Sequence, residues 1–423
     1  MSNTVKVQPD LNFVKELQAV GGDSLKKCYQ CATCSVVCPL SPADNPYPRK
    51  EMVWAQWGLK DRLVNDIDIW LCHNCGTCSD LCPRGAKPGD MLSALRNMAY
   101  RNLAPLPIIG KLMSSSSGML PLAAVPAILY GIIWVIMAGK LGSFLPEFAW
   151  DAASHGWVPV EDGIIAFGGL FPGDYTIDPV FMAVFAFMIW GFYAGVRNML
   201  KAFDAQPKTF IVGRKDAPNM IEALIDTVKY EILQHTQFLD CNDEDADELD
   251  VKRATGHRWL MFAFIALMVV TGVVAGSHWG GWLLRNIGIE GLGGIVSAIG
   301  HTPMPFYHPI KLLALVGAGL GVYGLIALTK RRVNLDETKQ SSSWYDWYLI
   351  TLIWTIFLTG IGAMVFRVLG AAILAYPVYY VHLITVFMLL AYLPWSKLGH
   401  LVYRTVALSY AKKIGRIPMG ADK

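Results

Sequence analysis

The sequence predicts a mainly α-helical membrane protein, with a small helical two-cluster domain followed by a bundle of six spanning helices. Three observations predict it. Eight of the nine cysteines fall between Cys28 and Cys82 in two short runs. Six apolar stretches of membrane-crossing length follow residue 104. Charged residues make up 16% of the 423-residue chain and hydrophobic residues 54%, against roughly 25% charged in soluble domains.

The first segment, 1–104, is soluble in composition. Met1 to Asp10 is polar and has no basic stretch leading into an apolar one, so a cytoplasmic start without a cleaved signal is expected. The net charge of +3 is small, and no run of basic and aromatic residues occurs, which excludes nucleic acid as a partner class. Eight clustered cysteines without an export signal are expected to ligate metal rather than form disulfides.

The cysteine runs read Cys28-x2-Cys31-x2-Cys34-x3-Cys38-Pro39 and Cys72-x2-Cys75-x2-Cys78-x3-Cys82-Pro83. This is the spacing of two-cluster bacterial ferredoxins. Two-residue gaps wrap a short loop round one cubane, and the fourth cysteine opens a helix toward the other. One [4Fe–4S] cluster is therefore expected on Cys28, Cys31, Cys34 and Cys82, and the other on Cys72, Cys75, Cys78 and Cys38. Structural zinc sites split their ligands into two separated pairs, which this pattern does not. Pro39 and Pro83 suit a first helical turn. His73 lies inside the second run and reads as a neighbour that tunes the cluster.

The apolar stretches fall near 119–139, 178–200, 258–277, 309–329, 346–368 and 376–396. About 20 residues at 1.5 Å each span roughly 30 Å of hydrocarbon. Pro121 and Pro126 interrupt the start of the first. Basic residues collect after the second (Arg197, Lys201), fourth (Lys330, Arg331, Arg332) and sixth (Lys397, Arg404, Lys412, Lys413, Arg416) stretches. The positive-inside rule then puts both termini and the 201–256 loop in the cytoplasm and the chain in the cytoplasmic (inner) membrane. Within that loop, 219–238 has helical apolar spacing, and an acidic run from Asp243 to Glu248 reads as solvated. The expected division is 1–104, a two-cluster domain; 105–200, two spans and their outer loop; 201–256, the cytoplasmic loop; and 257–423, four spans with a cytoplasmic tail.

Histidine is costly in lipid and usually functional there. His382 and His400 stand 18 residues apart on what reads as one last helix. Eighteen steps return to the same face and rise roughly 27 Å. His257 opens the third span and His308 the fourth. Depth pairs His308 with His382 on the outer side and His257 with His400 on the cytoplasmic side, giving two bis-histidine b haems in a cytochrome b bundle. His278 and His301 are alternatives to His308, while His155 reads as a loop residue. No Cys-x-x-Cys-His occurs, which excludes c-type attachment. Gly272, Gly276, Gly317, Gly321 and Gly324 put small residues where a helix or a porphyrin approaches closely. Lys311 beside His308 is a candidate for a quinone carbonyl or haem propionate, or else snorkels to the interface. His235 and Cys241 read as structural.

These residues resemble known families. The cysteine half, with Cys82-Pro83-Arg84-Gly85 leading into a helix through Leu92 and Arg96, resembles the small ferredoxin-type subunit of heterodisulfide reductase. The membrane half is similar to the haem-b subunit of respiratory nitrate reductase, whose last ligand helix also carries two histidines at this spacing. In that subunit the other two ligands share one helix, whereas here they come from the third and fourth spans. The fusion resembles the membrane subunits of the quinone-interacting membrane-bound oxidoreductases. That resemblance implies electron exchange with the quinone pool, menaquinone or ubiquinone. It also implies docking of two soluble flavin- and Fe–S-bearing subunits and service to adenylylsulfate reductase in dissimilatory sulfur metabolism. The second reading is a heterodisulfide-reductase-type membrane subunit feeding a thiol–disulfide site. No adjacent cysteines occur here, so a partner would supply that site. A transporter is disfavoured, because the spans lack charged midplane residues and internal repeats.

Overall fold

The computed structural model describes residues 8–42, 45–151, 153, 156–205, 218–234, 248–337 and 340–420. His155, His235, Cys241 and the acidic run up to Asp247 lie outside the described residues. The fold is mainly α, a ferredoxin-type domain followed by six helices long and apolar enough to cross a membrane.

The N-terminal half is built from short helices around one long one. Helix Leu11–Ala19 starts at Asp10, whose side chain accepts from the Phe13 amide at 2.9 Å and so satisfies an otherwise unpaired donor. Two four-residue helices, Thr33–Val36 and Thr77–Asp80, follow the cysteine loops. Helix Pro88–Leu103 begins on a proline, as its missing amide proton permits, and buries Met91, Leu92, Leu95 and Met98. Its core does not stop at the domain edge. Met199 and Phe203 of the second span and Tyr403, Ala407 and Leu408 of the C-terminal helix join the same apolar cluster. Trp70, Tyr100 and Tyr403 meet with ring centroids 5.5–6.0 Å apart. The cysteine half is thus docked on the membrane half rather than tethered to it.

The spans are Ser116–Leu141, Gly173–Ala205, Ala254–Asn286, Pro309–Val333, Trp344–Val368 and Ala372–Ala391. Their outward faces expose residues such as Leu120, Ile132, Met268 and Val316, the surface expected to meet lipid. Pro121 and Pro126 do not break the first span. Pro126 has no amide proton for the Leu122 carbonyl, and the Tyr392 hydroxyl donates to that oxygen instead, at 3.0 Å. The fourth span carries its glycines against neighbours. A Cβ at Gly317 would lie 3.3 Å from Ala266, one at Gly321 would run into the Phe357 ring, and one at Gly324 would lie 2.6 Å from the Gly256 carbonyl. Gly272 and Gly276 meet no neighbouring helix, and open space lies beside both.

Two further departures matter. The last helix is not continuous. It runs from Ala372 to Ala391, gives way to tight turns at Leu393–Trp395 and Lys397–Gly399, and restarts as His400–Lys413. Pro394 lies in this break, where its ring and missing donor prevent a helix from passing. An antiparallel hairpin pairs Glu147–Asp151 with Gly156–Val160 between the first two spans. Strand alternation there is too short to stand out among apolar residues. The expected loop helix begins with Asn219 as a capping box with Glu222, runs through Met220–Asp226, and continues as a wider turn to Leu233. It packs on the C-terminal helix, with Lys412 bonding to Asp226 at 2.6 Å.

Candidate redox centres

The two cysteine loops share one backbone trace. Gln30 and Ala32 in the first, and Asn74 and Gly76 in the second, all hold positive φ, between 55° and 98°. Ala32 and Gly76 each precede a four-residue helix. Left-handed residues at matching positions curl the chain into a cup and turn its amides inward. Thr33 and Thr77 repeat as well, with hydroxyls 3.3 and 3.4 Å from the sulfurs of Cys31 and Cys75.

The cups sort the eight sulfurs into two fours. Cys28, Cys31, Cys34 and Cys82 line one cavity of about 350 Å³. Cys38, Cys72, Cys75 and Cys78 line another of about 400 Å³. The fourth cysteine of each run therefore reaches across to the other group. Burial, and then the nearby Cys28, Cys31 and Cys82, push the Cys34 thiol up to about 12. Burial and then Cys72 do the same to Cys38, also to about 12. Four sulfurs gathered at one cavity fit a cationic iron cluster, because metal binding requires and rewards the thiolate form.

The two cavities differ in surroundings. The first lies at the surface, with Cys31, Tyr29, Val36 and Leu81 exposed. The loop of the second lies against the membrane half. Gln340 donates to the Asn74 carbonyl at 2.9 Å, and Ser341 donates twice to Asp90, at 2.8 and 2.7 Å. His73 is buried and contacts the Arg404 guanidinium at 2.7 Å. Arg96 donates to the Cys72 and Ile69 carbonyls at 2.5 and 2.9 Å.

In the membrane half, His257 and His400 come together with ring centroids 6.1 Å apart. An iron gripped by two imidazole nitrogens at about 2 Å each puts the ring centres roughly 6 Å apart. His400 Nδ1 lies 2.8 Å from the Lys397 carbonyl oxygen, which as its acceptor fixes the ring and leaves Nε2 free for a metal. Burial pushes this imidazole down to about 4, so it is neutral near pH 7, the form that ligates. Two buried guanidinium nitrogens on the same helices as this pair, Nε of Arg258 and Nε of Arg404, have no hydrogen-bond partner. The set fits a b haem, which brings two axial positions and anionic carboxylates.

His382 is oriented similarly. Its Nδ1 lies 3.1 Å from the Thr359 hydroxyl, and Gly360 leaves room in front of the ring, where a Cβ would sit 3.1 Å from it. The two members of the expected outer pair lie at different depths, however. The sixth span begins at Ala372, so His382 lies about 15 Å inside it at 1.5 Å per residue. His308 caps the very end of the fourth span, and no ring contact joins the two among the described residues. The depth assigned to His382 from sequence is corrected accordingly. The alternatives are engaged elsewhere, with His278 paired to Asp174 and His301 set against Trp150. Lys311 sits 5.9 Å from the Phe306 ring centre, as a snorkelling cation does. Arg404, Arg258 and Thr359 escaped the sequence reading; the one available signal was the four-residue step from His400 to Arg404, a single helical turn.

Comparison with known proteins agrees with the cysteine half. Residues 24–86 match the family described as a 4Fe-4S dicluster domain. This segment is therefore an iron–sulfur electron-transfer domain with two clusters. Among curated proteins, the chain is 40% identical over 93 residues to a subunit of the H(2):CoB-CoM heterodisulfide,ferredoxin reductase of Methanothermobacter marburgensis, covering 22% of this chain and 50% of that one. It is 40% identical over 109 residues to the iron-sulfur subunit of the CoB--CoM heterodisulfide reductase of Methanopyrus kandleri, covering 23% and 57%. The chain spans about half the length of the curated relatives it matches. No solved structure matches.

Proposed function

We propose that this chain is the membrane subunit of an oxidoreductase complex, passing electrons between the quinone pool and soluble flavin- and Fe–S-bearing partners. Bound haem and cubanes supply one-electron steps; the chain supplies their order and spacing. His257 and His400 hold the haem on the side facing the cysteine domain. Cys38, Cys72, Cys75 and Cys78 hold the cluster pressed against the membrane half. Cys28, Cys31, Cys34 and Cys82 hold the cluster at the free surface, where a partner docks. His382 is the residue on which a second haem rests. By its loop charges the cysteine domain is cytoplasmic.

The observation that carries this reading is the short path from His400 through Arg404 to His73, beside Cys72. Service to adenylylsulfate reductase, and the flavin character of the partners, follow from the resemblance of the fusion to quinone-interacting oxidoreductases. The likeness of 93 to 109 residues of this chain to heterodisulfide reductase subunits supports the second reading, delivery to a thiol–disulfide site on a partner. The test is a reduced-minus-oxidised spectrum of the purified complex with a menaquinol analogue. Absorption of b haem should appear, followed by reduction of the clusters. Haem that stays oxidised with quinol present sinks the quinone reading, and reoxidation of the clusters by a heterodisulfide would favour the second.

A further inference from the structure

Arg404 lies one turn after His400 in helix His400–Lys413. Its Nη2 contacts both nitrogens of the His73 ring, at 2.7 and 3.0 Å, and lies 3.5 Å from the Leu71 carbonyl. Its Nε is buried and without a partner. No carboxylate among the described residues pairs with it. Asp346, the buried acid of this region, is already bonded to Arg332 and Lys397. Arg258, which follows His257 directly in the chain, also leaves Nε buried and unpartnered. A buried guanidinium needs an anion to offset its lost hydration, and a planar fork suits a carboxylate.

We propose that Arg404 is shared between two redox centres: its Nε binds a carboxylate of the porphyrin held by His257 and His400, while Nη2 holds His73 in the second cysteine loop. Arg258 takes the other porphyrin carboxylate. The inference rests on the haem reading above. Arg404 is a positioning residue, since it touches neither iron directly. Its fixed positive charge favours the added electron on both neighbours, so it raises the potentials of the haem and of the Cys38/Cys72/Cys75/Cys78 cluster together. The surface cluster, whose ligands do not contact Arg404, feels it less.

The test is a redox titration of the purified full-length membrane protein, reading haem optically and the clusters by electron paramagnetic resonance. In Arg404→Gln, haem and iron content should hold, because every ligand remains. The haem and second-cluster potentials should fall together, with the surface cluster moving least. Arg404→Lys should restore most of the shift. His73→Gln keeps the Arg404 charge and should leave both potentials close to wild type; a second-cluster fall as large as in Arg404→Gln would overturn the assignment to that charge. Wild-type potentials in Arg404→Gln, or an equal shift of all centres, would overturn the proposal. If Arg404→Gln does not accumulate, Arg404→Met is titrated in its place, and wild-type potentials there are equally fatal. A wild-type protein with no b-haem absorption marks failure of the underlying reading instead.

Discussion

Cys38 and Cys82 are where the residue scale is most informative. Each belongs by sequence to one run and by position to the cavity of the other. Cys82→Ser should therefore abolish the signal of the surface cluster, and Cys38→Ser that of the second one, read by electron paramagnetic resonance. Loss of the opposite cluster in each case would reverse the assignment. This crossing was legible because the cubane geometry forces it once the spacing is known. Arg404 was not legible. In the sequence it is one of several basic residues after the sixth span and reads as an orientation charge. Only the tertiary fold brings it onto His73, 331 residues away. His257 and His400 stood out for a simpler reason: a histidine at a membrane boundary is rare enough to draw notice.

At the scale of elements, two contacts hold the spans in register. The Tyr392 hydroxyl supplies the hydrogen bond that Pro126 cannot give to Leu122. Tyr392→Phe leaves that carbonyl unpaired and should cost about 1–3 kcal/mol, measured as a lowered midpoint in thermal unfolding in detergent. Gly324 lies against the Gly256 carbonyl, next to His257. Gly324→Ala overpacks this crossing, at about 1–3 kcal/mol, and should displace His257. The expected result is loss of haem with both clusters retained; full haem content would show that the crossing does not set the ligand. The six spans were legible from length and apolarity alone. The break after the sixth was signalled by Pro394, but an apolar run through Trp395 masked it. The glycine stripe was half legible, because periodicity places small residues on a face without saying what that face meets.

The whole molecule is held together by buried charge at the junction of its halves. Arg416, near the C-terminus, grips Asp68 of the cysteine domain with contacts of 2.8 and 3.1 Å. Lys50 joins the same carboxylate and reaches Asp66 and Glu51 at 3.1 Å. Three acids face two cations here, so one proton is retained most easily. Burial pushes the Glu51 carboxyl up to about 8, with Lys50 opposing. Between the ordinary carboxylate range and about 8, the folded chain keeps a proton that the unfolded chain has released. Stability should therefore fall as pH rises through that window. Glu51→Gln keeps the site neutral and should flatten the slope in unfolding midpoints measured from pH 5 to 8; an unchanged slope would place the proton elsewhere. None of this network was legible, since its members are scattered from Lys50 to Arg416.

The central claim is that cubanes and a porphyrin share this one chain, with the His257–His400 pair as the join. It is tested most directly by metal and pigment analysis of the purified protein beside its His400→Ala variant. The account predicts about eight non-haem irons, with matching acid-labile sulfide, in both proteins, and b-haem absorption that drops in the variant alone. A wild-type protein without b haem, or a variant with the wild-type haem spectrum, would contradict it.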